Sequence, residues 1–318
     1  MSVIEFRPSP GGMAAFGPPA PVSAEETRLL NQYDRSDTLH MSIEGGKMFY
    51  QGRLRDFQLS DGPVAAAEFE NGATFEAVVD KYGSAVKDLA YKFIPNKCPP
   101  FTFLSEKNIV VPLFHERVTD DTDTTWGFKG LINAQSAFPE AYASPGAGEA
   151  ASGSLFHILI IPSDVEPPMQ ENKPLRIYNA VTLTQDHVPM LRAMRIEAIK
   201  YVESQITMAR ANNGTCELMN RAITEQHNKL VPPAPKPSLL KEGTAITEWD
   251  EYLMSKWRDW LATGETIKLG FFFHVHPDHT VGHLHMHCFA LNEALRTNKV
   301  HDTKCVPVDS IIDVLAQD

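Results

Sequence analysis

Two short segments near the carboxyl end constrain the fold more than any others. "KLGFFFHVH" (Lys268–His276) and "GHLHMHCFAL" (Gly282–Leu291) each alternate between two chemistries. Successive side chains of an extended strand point to opposite faces. Leu269, Phe271, Phe273 and Val275 therefore share one face of the first segment, and Phe272, His274 and His276 share the other. In the second segment, Leu284, Met286 and Cys288 oppose His283, His285 and His287. The pattern predicts a sheet with one face in an apolar core and the other lined by imidazoles. Six of the chain's twelve histidines lie between His274 and His287. Neutral imidazoles serve as nucleophiles, proton carriers and metal ligands.

Strand geometry limits these roles. Residues two apart on a strand are separated by about 7 Å, so three nitrogens of one strand do not converge at about 2.1 Å on one metal without strong tilting of the rings. Two of the three histidines, joined by His274 or His276 of the neighbouring strand, leave a zinc site open. The row also suits functional groups spaced along an extended substrate, and no metal is assigned.

Upstream, Ser23 to Tyr33 and Thr74 to Phe93 carry helical spacing. Strands are expected at Asn108–Phe114, Gly127–Ala134 and Leu155–Pro162, with "RVTDDTDTT" as a turn after the first and "SPGAGEAASG" as a loop before the third. A long helix follows. Thr184 can cap it, Pro189 is tolerated near the first turn, and Val188, Leu191, Ile199, Val202 and Ile206 form its apolar stripe. His187 is read as a helix-start residue. "VPPAPKPS" (Val231–Ser238) must be extended. A further helix places Trp249, Leu253, Trp257 and Trp260 on one packing face, with Gly264 as its stop.

The fold class is therefore α+β. The expected divisions are a flexible or docked arm at 1–40, an N-terminal module at 41–104, and a main domain at 105–318 with a proline-rich insertion near 211–246. Lys and Arg number 29 against 40 Asp and Glu, a formal charge of -11, which opposes broad attraction to duplex nucleic acid or an anionic membrane. The amino end lacks the pattern of a secretory signal, and no apolar run approaches the roughly 18 to 20 residues that span a bilayer. Cys98, Cys216, Cys288 and Cys305 lack CxxC spacing. Reduced thiols in a cytoplasmic or nuclear setting are expected.

"HLHMHCF" resembles the His-x-His-x-His signature of the histidine triad nucleotide hydrolases and transferases. "HTVGHLHMH" is similar to the family's Gln-[Ser/Thr]-Val-x-His-x-His-x-His, with His279 standing where the family has glutamine. "LIN" (Leu131–Asn133) and "HILIIP" (His157–Pro162) resemble the family's Leu-Val-Asn and His-[Val/Leu]-Leu-Val-x-Pro strands, across a longer loop. "LTQDHVPMLRAM" (Leu183–Met194) is similar to the run that opens the main helix of scavenger decapping enzymes. The matches run in order from about Asn108 to Ala290, and residues 1–104 align with nothing in the family.

The resemblance implies a histidine triad-like antiparallel sheet with a long packed helix, and a homodimer. It makes His285 the nucleophile that attacks an α-phosphorus, leaving a nucleotidyl-histidine for water to hydrolyse. The backbone carbonyl of His283 would hold the other N–H of His285, and His287 would donate to non-bridging phosphate oxygens. Thr280 would stand near the scissile bridge, Asn133 would contact the ribose and His157 would line the pocket. His279 either protonates the leaving oxygen or only replaces the glutamine's hydrogen bond. His274 and His276 stay outside the core assignment, and Cys288 is expected to be structural. No cofactor is required, with Mg²⁺ an aid only for a polyphosphate substrate. Dinucleoside polyphosphates, capped nucleotides and nucleoside phosphoramidates are the expected substrates. A nucleotidyl transferase or phosphorylase, and a non-catalytic nucleotide-binding protein, remain alternatives.

Overall fold

The computed structural model describes residues 23–60, 112–119, 125–133, 154–162, 169–170, 173–174, 180–230, 246–275, 284–295 and 305–317, with isolated positions between 63 and 81. Residues 1–22 of the arm expected at 1–40, the loop at 144–153 and the proline-rich stretch at 231–238 lie outside the described residues, as does most of the helix expected over 74–93.

The first helix, α1 (Ala24–Tyr33), begins where its capping chemistry says it must. The Glu26 N–H donates to Ser23 Oγ at 3.1 Å and the Ser23 N–H to Glu26 Oε2 at 2.7 Å, which satisfies two of the amides that a helix start leaves open. A second helix, α2 (Ile43–Gln58), was not expected, because Gly45, Gly46 and Gly52 lower its helix propensity. Packing explains one of these glycines. A Cβ at Gly46 would fall 2.3 Å from Ser310 Oγ, so glycine is what lets α2 approach the final helix so closely.

Six strands form one antiparallel sheet among the described residues: β1 (Phe114–Thr119), β2 (Thr125–Ile132), β3 (His157–Pro162), β4 (Leu269–His274), β5 (Met286–Ala290) and β6 (Cys305–Pro307). Their spatial order is β1-β2-β3-β5-β4-β6. One expected strand is shifted within the described residues. Residues 108–111 of the strand expected at Asn108–Phe114 and 120–124 of the turn expected at Arg117–Thr125 lie outside them, and the described pairing begins at Phe114 and runs through Thr119, so Arg117–Thr119 are extended. The polar residues of "HERVT" alternate between exposed and half-buried positions on a sheet edge, a pattern that resembles a turn when composition alone is read. Strand β6 was not expected either. Its three residues pair with Phe272, Phe273 and His274.

The long helix, α3 (Val188–Ala211), follows a turn at Gln185–His187, with Pro189 in its first turn as expected. All five residues of its predicted stripe are buried. Helix α4 (Glu217–Leu230) occupies part of what was read as a proline-rich insertion. Leu218, Met219 and Ala222 are buried there, and their amphipathic spacing was the missed signal. Helix α5 (Ile246–Thr263) buries Leu253, Trp257 and Trp260 and ends at Gly264, whose φ of 71° suits glycine. The last helix, α6 (Val308–Leu315), follows β6 directly.

One face of the sheet supplies Ile158, Ile160, Phe271, Phe273, Met286, Cys288 and Val306 to a core shared with Leu191, Met194 and Ile199 of α3. Leu29, Tyr33, Tyr50 and Phe57 of the first two helices join the same core. Each fully buried side chain of this size contributes about 1.5 to 3 kcal/mol. Arg195 of α3, itself buried, donates to Asp34 Oδ2 at 3.1 Å and Asp309 Oδ1 at 2.6 Å, tying the end of α1 and the start of α6 to α3. The Phe271 N–H donates to Ser36 Oγ at 2.8 Å, so the segment after α1 fixes the start of β4. No described helix is long and apolar enough to cross a membrane.

Candidate functional site

The reverse face of the sheet gathers the histidines. In the β3–β5 register Leu159 stands opposite His287, in the β4–β5 register Phe272 does, and in the β4–β6 register His274 stands opposite Cys305. Opposed residues share a face, and alternation along each strand adds His157 and Phe289 to that face. Two residues beyond the last β4–β5 pair, Phe272 with His287, the same register points His285 toward His274.

His287 is the hub of this cluster. Its Nδ1 lies 2.8 Å from His157 Nε2. Its ring stacks on Phe272 with centroids 4.6 Å apart and planes within 7°. The His274 and His285 rings sit 4.4 Å and 4.8 Å from it. His157, His285 and His287 are all buried, and His274 is half-buried at the edge of the group.

Burial, with repulsion from His285 second, pushes the His157 imidazole down to about 3. His157 is therefore neutral across the physiological range, with one N–H and one bare nitrogen. Two arrangements of the His157–His287 hydrogen bond follow. When His157 donates from Nε2, the proton of a neutral His287 resides on its Nε2. When His287 donates from Nδ1, a neutral His287 presents Nε2 as a lone pair. The cluster can thus offer either a donor or a ligand at one atom.

The sequence-derived residues fare differently. His285, His287 and His157 come together, and the Asn133 N–H donates to the His157 carbonyl at 2.8 Å, which sets Asn133 beside the group. His279, Thr280 and His283 lie outside the described residues, as does His276. His187 performs the helix-start task expected of it: its Nδ1 is 3.0 Å from the Thr184 N–H and 2.9 Å from Thr184 Oγ1. Burial lowers its imidazole to about 4. Cys288 is buried on the core face, where burial pushes its thiol well up.

Two participants carry no role in the sequence pattern: Phe272, on the histidine face, and Cys305. His274 lies outside the core assignment but is one of the neighbouring-strand histidines that strand geometry leaves open for a metal. Cys305 Sγ lies 3.6 Å from His274 Nε2. The ring nitrogens of His274, His285 and His287 lie within 4.8 Å of one another, which is the combination of two triad residues and one neighbouring-strand residue that strand geometry left open. No family model, curated protein or solved structure matches the chain.

Proposed function

We propose that this chain is a nucleotide hydrolase of the histidine triad type, acting on a phosphoanhydride or phosphoramidate through a covalent nucleotidyl-histidine. The observation that carries the reading is the packed row His285–His287–His157, with its 2.8 Å imidazole–imidazole hydrogen bond, on the face opposite the apolar core. The motif resemblance supplies the roles, and the six-stranded sheet with its long helix is read as the triad-type arrangement.

In this mechanism the unprotonated nitrogen of His285 attacks the α-phosphorus. The bond to the distal bridging atom breaks, and the leaving group departs with that bond's electron pair and takes up a proton. Water then attacks the same phosphorus, the P–N bond breaks, and His285 is regenerated. The second nitrogen of His285 keeps its proton, for which the resemblance assigns the His283 carbonyl as acceptor. His157 donates to His287 Nδ1, which leaves the His287 Nε2–H directed at the non-bridging oxygens where charge develops. Asn133 lies on the ribose side. Thr280 and His279 act at the bridging atom, with His279 in the modest role of the family's glutamine. The substrates are dinucleoside polyphosphates or capped nucleotides.

The test is incubation of the full chain with a panel of adenosine- and methylguanosine-containing polyphosphates and phosphoramidates, with mass spectrometry of the products. Nucleoside monophosphate formed in water, at a rate that EDTA does not lower, is the expected result. Nucleoside diphosphate formed only when inorganic phosphate is added identifies a phosphorylase. Activity abolished by EDTA and restored by zinc identifies a metal hydrolase, and no turnover with any member of the panel rejects catalysis on these substrates.

A further inference from the structure

The same face carries a second chemistry. Tetrahedral zinc with bonds of about 2.05 Å to nitrogen and 2.3 Å to sulfur sets its nitrogen and sulfur ligands about 3.6 Å apart and pairs of nitrogens about 3.4 Å apart. His274 Nε2 and Cys305 Sγ already stand at 3.6 Å. One nitrogen from each of His274, His285 and His287 lies within 4.8 Å of the others, so these three need to close by little more than an ångström, a movement that rotation of the rings can supply; Cys305 Sγ stands outside that group of three and has further to move. We propose that His274, His285, His287 and Cys305 form a closed four-ligand site for a zinc-class transition-metal ion, and that the ion, by occupying His285, excludes nucleotide transfer.

Three considerations support it, and a fourth point is its consequence. The donor set of three imidazoles and a thiol is one that zinc and cobalt favour over magnesium or calcium. Cys305 and His274 are opposed on paired strands, so their separation is fixed by the β4–β6 register and not by flexible loops. His157 meets the need for an outer partner: a metal-bound His287 must donate its second N–H, and His157 Nε2 is the acceptor at 2.8 Å. A fourth protein ligand leaves no open position for substrate, which marks a closed site and not a catalytic one.

Exclusion follows from the imidazole itself. A neutral ring has one lone-pair nitrogen, and on His285 the metal and the phosphorus compete for it. Metal binding releases the Cys305 thiol proton and leaves the three imidazoles neutral. It also sets the direction of the His157–His287 hydrogen bond: His287 donates in the metal state, and His157 donates in the catalytic one. Metal-bound protein is therefore a resting form that a chelator activates.

The experiment is titration of EDTA-treated, desalted full-length protein with Co²⁺ alone under reducing conditions. The expected result is one ion per chain, with visible ligand-field bands of tetrahedral intensity and a near-ultraviolet sulfur-to-cobalt charge-transfer band. Cys305→Ser should remove that band, and His274→Gln should weaken binding by more than about 100-fold, beyond the range seen when only an outer partner is lost. Thermal melts check that both variants fold, and if either does not, the wild-type charge-transfer band still decides. The absence of a tetrahedral spectrum overturns the site, and a tetrahedral spectrum without a sulfur band overturns its closed form. Because these readouts need no turnover, they are independent of the proposed hydrolase. Metal bound without nucleotidylation of the metal-free protein would reject the hydrolase alone, and nucleotidylation without metal binding would reject only this site.

Discussion

Phe271, Phe273, Met286 and Cys288 of β4 and β5 enter a core with Leu191 and Ile199, whereas Phe272, His274 and His287, on the same two strands, meet one another on the reverse side. The two faces share a backbone and a register, and Phe272 and His287 are buried as the core residues are, with His274 half-buried at the edge. What differs is what burial costs. On the core face each buried group is apolar, and burial stabilises it. On the histidine face each imidazole brings polar nitrogens that need partners, so those residues are specified by one another. One face holds the strands in place, and the other spends that rigidity on positioning imidazoles.

The largest expected effect separates the faces by activity. His285→Asn should lower turnover on the order of 10⁵-fold, the scale for loss of a nucleophile, while the thermal midpoint stays near that of wild type. A large loss of stability with modest loss of rate would place His285 among the structural residues. Next, Phe271→Ala on the core face should destabilise by about 3 to 5 kcal/mol, as measured by urea denaturation. The surviving folded fraction should keep the wild-type rate per molecule. A rate lost in proportion greater than the folded fraction would show that the two faces are not separable.

The smallest effect concerns protonation, and it compares His157 on the histidine face with His187 at the start of α3. Both have folded values below the ordinary 6.5, at about 3 and about 4, because both are buried. The unfolded chain binds more protons below pH 6.5, so stability is full above that value and falls as pH drops toward the folded values. Each imidazole should steepen the acid limb by up to about 1.4 kcal/mol per pH unit. Urea midpoints measured between about pH 7 and pH 5 should therefore fall less for His157→Gln and for His187→Gln than for wild type. Equal slopes in all three proteins would contradict the neutral, buried state of these rings.

Much of the framework was legible because it is local. The helical spacing over Ser23–Tyr33 and the stripe of α3 repeat within a turn, and the alternation at 268–291 needs no partner to be read. The failures were of two kinds. Strand β1 was displaced because its edge residues are as polar as a turn, and α2 was missed because close packing against Ser310 outweighs the propensity of its glycines. The site itself was only half legible. His285 and His287 stood out by spacing, but their link to His157 joins residues 130 positions apart. The nearness of Cys305 to His274 depends on the register of β4 against β6. Such registers are settled by the whole sheet and leave no mark in either segment alone.

The central claim is that His285 carries the nucleotide in a covalent bond. The most direct measurement is to mix metal-free protein with a nucleoside phosphoramidate or a dinucleoside polyphosphate, quench at alkaline pH to preserve a phosphoramidate bond, digest, and locate the added mass by peptide sequencing. A nucleoside monophosphate adduct on His285, formed and consumed within a turnover and absent from His285→Asn, is the predicted result. Turnover without any adduct at that residue, or an adduct on a different histidine, would contradict it.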